Sequence, residues 1–146
     1  MNIQEYHRGD YVISTDPARL DVARIHTFLT QLTYWAKKRT IETVQKSIEH
    51  SINFGVYCGD EQVGYARVVT DYATFAWLCD VIITPEHRGK GLGKWIVEVV
   101  TTHPQIEPLR RLLLATLDAH ELYRRYGGFV DLANPERWME KVNPNL

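Results

Sequence analysis

The chain has 146 residues, enough for one domain, residues 1–146, to bury a core without disulfide or metal staples. Hydrophobic residues at 45% and charged residues at 24% exclude a disordered chain and are those of a soluble globular protein. A formal net charge of -1 gives no global field for nucleic acid or an anionic membrane, so neither is expected as a partner.

The opening MNIQEYHRGD holds no apolar core, so no signal peptide is read there, and no apolar run is long enough to span a bilayer. A cytoplasmic location is the expectation. YVIST at 11–15 reads as a first strand. Asp16-Pro17 is expected to open a helix, with Asp as N-cap and Pro at the first helical position. Leu20, Ala23, Ile25, Phe28, Leu29 and Leu32 follow a helical period, which TYWAKKRT interrupts. Thr40 begins a second helix that runs to about His50. FGVYC and QVGYARVVT are strands joined at Gly59-Asp60, and TFAWLCDVII follows a hairpin at Asp71-Tyr72-Ala73. Cys58 and Cys79, in these apolar strands without CxxC spacing, read as buried free thiols rather than a zinc or redox pair.

Pro85 ends the third of these strands, and a helix runs from about Gly91 to Thr102 with Leu92, Trp95, Ile96, Val99 and Val100 on one face. RRLLLATL at 110–117 reads as a strand buried on both faces, and AHELYRRYG as a short helix ended by Gly127-Gly128. FVDLA and RWMEKV are expected as two terminal strands. The order β-α-α-β-β-β-α-β-α-β-β predicts an α/β fold, a mixed central sheet with helices on both faces.

Chemistry concentrates in CDVIITPEHRGKGLGKWIVEVV. Gly89, Gly91 and Gly93 alternate at a helix start, where unpaired N–H groups converge and the helix dipole adds positive charge. Arg88, Lys90 and Lys94 add full charges, which makes a site for a pyrophosphate. A P-loop fails because Trp95 follows Lys94, and a dinucleotide fingerprint fails because Ile96 stands where its third Gly belongs. The spacing that fits is R-x-x-G-x-G, from Arg88 through Gly91 to Gly93.

DVIITPEHRGKGLG resembles the [Q/R]-x-x-G-x-[G/A] signature of the GCN5-related N-acetyltransferases, the GNAT family. ATLDAHELYRRYGGF resembles the family's A-x-x-L-Y-x-x-x-G-F segment through Ala119, Leu122, Tyr123, Gly127 and Phe129, with one extra Gly before the Phe. The resemblance covers about residues 53–130. It implies the GNAT-type acyl-CoA N-acyltransferase fold, acetyl-CoA as co-substrate, no metal, and acetyl transfer to an amine by direct attack on the thioester. By the same resemblance, Val81 and Ile83 present main-chain groups to the acetyl carbonyl and pantetheine arm, and residues 88–94 hold the pyrophosphate. Tyr123 falls at the family's general-acid position.

Asp80 is a lone carboxylate in an apolar strand, and reads as general base, amine anchor or structural hydrogen-bonding group. Tyr34 and Trp35, in the break between the first helices, and Tyr72, at the hairpin, are acceptor-side candidates, whereas Phe75 and Trp77 read as sheet packing. His120-Glu121 lacks the second His of H-E-x-x-H, so no metal is expected. Arg124 and Arg125 face either phosphates or solvent. The expected acceptor is a small-molecule amine. A protein or peptide acceptor, or a non-catalytic CoA-binding regulatory module, is the alternative, and the resemblance is compatible with a homodimer.

Overall fold

A computed structural model describes residues 2–146. Six strands form one sheet in the order β1-β2-β3-β4-β5-β6, namely β1 (Glu5–Arg8), β2 (Tyr11–Ser14), β3 (Ile52–Cys58), β4 (Glu61–Thr70), β5 (Phe75–Ile83) and β6 (Arg111–Leu113). Every neighbouring pair is antiparallel except β5–β6, which is parallel. The helices are α1 (Val22–Leu32), α2 (Ile41–Glu49), α3 (Leu92–Thr101) and α4 (His120–Gly127).

β3 and β4 are buried along most of their length because helices cover both faces. On one face Val56, Ala66 and Val68 pack with Trp95, Ile96 and Val100 of α3 and Tyr123 of α4. On the other, Tyr65 and Ile82 pack with Ile25, Phe28 and Leu29 of α1 and Val44 and Ile48 of α2. This is the mixed sheet with helices on both faces that the element pattern predicts.

Five local readings change. Asp16 does cap, accepting from Ala18 N–H, but only a 3-10 turn over Pro17–Arg19. Asp21 then caps α1 by accepting from Arg24 N–H, so two competing caps split what reads as one helix. β1 is unforeseen because EYHR lacks an apolar face; it is an edge strand turned back onto β2 at Gly9-Asp10, where Gly9 has φ 58°. The strand over 110–117 shrinks to three paired residues, with Leu117 70% exposed. FVDLA and RWMEKV form no ladder; Val130 and Met139 are exposed, so no buried face fixes a register for them. Cys58 and Cys79 are free but half-buried.

The extra glycine before Phe129 has a structural cause. A Cβ on Gly127 would lie 2.7 Å from the Phe129 ring and 2.9 Å from Val97 Cγ1, so α4 packs on α3 through bare backbone. Gly128 takes φ 71° as the left-handed C-cap of α4, and its N–H donates to Tyr123 C=O. Gly127→Ala should therefore lower the melting temperature, with overpacking worth about 1–3 kcal/mol. Calorimetry against the wild type checks this; an unchanged melting temperature would show that the α3–α4 contact yields freely.

Candidate active site

β5 and β6 pair only through Phe75–Arg111, Ala76–Leu112 and Trp77–Leu113. Beyond Trp77 the strands part, and a cleft of about 690 Å³ opens between residues 77–81 and residues 114–119, with Tyr123 at its wall. A second cavity of about 340 Å³ lies farther along β5, bounded by Ile83, the glycine turn and Leu122. Thr84 N–H donates to Val63 C=O on β4 at 2.9 Å. By strand alternation, the main-chain groups of Ile83 and Val81 face the open side. Arg88 Nε already donates to Ile83 C=O at 3.0 Å, so one of the main-chain acceptors expected to meet a ligand is partnered within the protein.

The glycine turn is built as an anion cradle. Gly89 and Gly91 have φ of 77° and 79°, a left-handed geometry that favours glycine. Gly91 is the N-cap of α3, and no side chain caps the helix, so the first-turn N–H groups have no side-chain acceptor. A Cβ at Gly89, Gly91 or Gly93 would meet nothing within 4 Å, so all three open onto free space. Arg88 and Lys94 line the same cavity, and Lys94 Nζ lies 5.2 Å from the centre of the Tyr126 ring. These residues fit a pyrophosphate.

Asp80 sits at a β-bulge. Tyr65 opposes Ile82 and Arg67 opposes Cys79, which leaves Asp80 and Val81 facing Ala66 alone, and Asp80 takes φ 54°. Its carboxylate is nearly sealed, at 2% side-chain exposure. Oδ2 accepts from Arg39 Nη1 at 2.8 Å and from Arg67 Nε at 2.9 Å, and Oδ1 accepts from Trp35 Nε1 at 3.2 Å. Tyr34 meets Trp35 edge-on, with ring centres 5.0 Å apart. Burial and the neighbouring carboxylate push the Cys79 thiol up to about 11, against the opposing arginines.

Tyr123 is buried at 8% exposure, and its hydroxyl has no hydrogen-bond partner among the described residues. Burial, reinforced by Asp118, pushes its phenol up to about 12. Asp118 lines the same cleft, exposed and with an unpartnered side chain among the described residues.

Of the acceptor-side candidates, Tyr34 and Trp35 lie on this cleft with Asp80. Tyr72 does not: it borders a separate 290 Å³ cavity with Ile48, Asn53 and His103. Its position at the hairpin tip, with φ 62°, carries it past the far end of β5. Trp77, expected as sheet packing, lines the cleft because the sheet has parted there. Arg124 is engaged by Glu121 and Asp131, whereas Arg125 is exposed. Arg39, Arg67 and Asp118 are unforeseen. A lone Arg in QVGYARVV and a lone Asp in the next strand are a signal that could have paired Arg67 with Asp80. Among the described residues no group of three or more His, Cys, Asp or Glu side chains could hold a metal, and no helix is long and apolar enough to cross a membrane.

Residues 49–127 match the acetyltransferase (GNAT) domain family. A Gibberella zeae protein assigned to the acetyltransferases is 36% identical over 148 residues, covering 88% of this chain and 84% of that protein. The crystal structure of a GNAT-family protein from Xanthomonas campestris pv. campestris superposes with a TM-score of 0.90 at 46% identity, over 96% of this chain and 98% of the other. An acetyltransferase from Clostridium acetobutylicum, crystallised with acetyl-CoA, shares the fold at 11% identity and a TM-score of 0.65, over 97% of this chain and 95% of that one.

Two substitutions separate the two halves of the site. Gly93 has ordinary helical space around it, so Gly93→Asp should keep or raise the melting temperature, since an acidic group in a first helical turn is worth about 0.3–1 kcal/mol. It should nevertheless weaken acetyl-CoA binding by at least about tenfold, read by calorimetry, because a carboxylate then faces the phosphates. Stability and affinity falling together would point to damage rather than charge. Asp80→Asn should do the reverse. It leaves two arginines facing a neutral amide, a loss toward the lower end of about 3–5 kcal/mol given their partial exposure. Urea unfolding should show the loss while acetyl-CoA affinity stays within about twofold, the ordinary context scatter of such interactions.

Proposed function

The chain belongs to the GNAT family of acetyltransferases, and from that premise we propose that it carries an acetyl group from acetyl-CoA to the amine of a small molecule. The observation that carries this reading is continuity. One open strand edge runs from the glycine cradle past Ile83 and Val81 into the cleft at Tyr123. A cofactor held by its phosphates at Arg88, Gly89, Lys90, Gly91, Gly93 and Lys94 would lie along that edge. Acetyl-CoA supplies the thioester there.

The chain's own groups divide the remaining work. The β5 main chain at Val81 is available to orient the acetyl group and receive its carbonyl oxygen. An acceptor amine with the pKa of lysine, ~10.4, is only about one part in 10³ neutral near pH 7, a handicap of roughly 4–5 kcal/mol. A proton acceptor in the cleft is therefore useful. Asp80 is poorly suited to it, because three donors engage its two oxygens. Asp118, unpartnered on the same cleft, suits it better, and Asp80 becomes a positioning residue for Trp35, Arg39 and Arg67. Tyr123 is the acid. With its phenol raised to about 12, it keeps its proton across the neutral range and offers it to the departing sulfur. A cleft of about 690 Å³ falls within the range of small-ligand sites and supports a small acceptor over a protein tail.

Tyr123→Phe removes one oxygen and keeps the ring that meets Phe129 edge-on, so the fold should survive. General acid catalysis is worth about 10²–10⁴-fold, so kcat should fall at least tenfold with acetyl-CoA affinity little changed. The wild-type profile of kcat should show no loss from Tyr123 ionisation between pH 7 and about pH 10, because the raised phenol is still protonated there. Free-thiol release measured across that range checks both. Wild-type kcat in the variant would remove Tyr123 from the mechanism.

A further inference from the structure

The acceptor cleft carries more positive charge on its β5 side than acetyl transfer itself requires. Arg39, from the link between α1 and α2, and Arg67, from β4, both line it. Arg39 gives only Nη1 to Asp80. Arg67 gives Nε to Asp80 and Nη1 to Ser51 Oγ at 3.1 Å. Nε and Nη2 of Arg39 and Nη2 of Arg67 therefore have no protein acceptor among the described residues. None of these atoms is sealed from solvent: the unsatisfied sealed atoms belong to Tyr57, Thr84 and His103. Two guanidiniums against one carboxylate leave one net positive charge on this wall. On the β6 side, Asp118 supplies one unpaired negative charge near Tyr123. The rings of Tyr34, Trp35 and Trp77 line the same cleft.

Resting on the acetyltransferase reading, we infer that the acceptor is a small amino carboxylate, its carboxylate received by Arg39 and Arg67 and its amine held toward Asp118. A guanidinium fork matches a carboxylate in shape and charge, and the single net charge of the arginine wall matches a monoanion better than a phosphate dianion. The aromatic rings give the acceptor's carbon skeleton an apolar surface. A lysine-rich peptide would bring like charge to the arginines. In the reaction the amine nitrogen forms a bond to the acetyl carbon as the thioester C–S bond breaks. The proton lost from the amine goes to Asp118, and the sulfur takes one from Tyr123. The products are the N-acetylated amino carboxylate and the free thiol of coenzyme A.

Free-thiol release from acetyl-CoA should be measured with the twenty protein amino acids, each beside its amide and its decarboxylated amine. At least one amino acid should show a kcat/KM about tenfold or more above both partners, since a site built to pair a charge discriminates strongly against a ligand that lacks it. Arg39→Met should bring that ratio toward one, and Arg39→Lys should restore part of it. Circular dichroism establishes that each variant is folded, and should the Met variant not fold, the Lys variant still reads the ratio. Equal rates within each trio, preference for the partners that lack the carboxylate, or no amino acid accepted while acetyl-CoA binds normally would each overturn the inference and leave the acetyltransferase reading standing. Failure of the wild type to bind acetyl-CoA would overturn both.

Discussion

After three residue pairs, β5 and β6 stop sharing hydrogen bonds. A parallel pair that continued would bury the Val81 and Ile83 main chain in a ladder, and neither cavity beside β5 would exist. Parting leaves those groups to other partners, as buried backbone polar groups require. The remaining architecture keeps the gap open. α3 and α4 brace one face through the bare backbone of Gly127, while α1 and α2 brace the other around Tyr65 and Ile82.

The two ends of the gap handle charge in opposite ways. At the glycine turn, positive character comes from backbone N–H groups and side chains that open onto free space, at no desolvation cost. At the bulge, charge is buried as a cluster, with Asp80 nearly sealed beneath Arg39 and Arg67. Such a cluster is a weak source of stability against an apolar alternative, but removing one member is costly. Its effect is to fix two guanidiniums and the Trp35 indole in place. The left-handed backbone at Asp80 is part of the same arrangement: the bulge turns that carboxylate toward the arginines.

Local sequence determined what local physics can determine. Alternation and helical period marked β2 to β5 and α2 to α4, since each has one clear apolar face or a buried run. The glycine turn was legible because its geometry depends on residues within seven positions, two of them glycines with positive φ. Tyr123 was singled out only through the resemblance of ATLDAHELYRRYGGF to the family's segment, not through any local physical signal. β1 was not legible, because an edge strand with charged faces carries no apolar signal, and the terminal strands were over-read because apolar residues without a partner surface form no ladder. The tertiary structure alone decided that β6 would stop at Leu113, that Tyr72 would leave the cleft and Trp77 join it, and that Arg39 would join the Asp80–Arg67 pair, for which adjacent strands carried only a hint. Arg67 and Arg39 stand 13 and 41 positions from Asp80 in sequence, and the β4–β5 bulge and the α1–α2 link bring them within hydrogen-bond distance of it. Charge pairing of that kind depends on strand register and loop placement, which no local window contains.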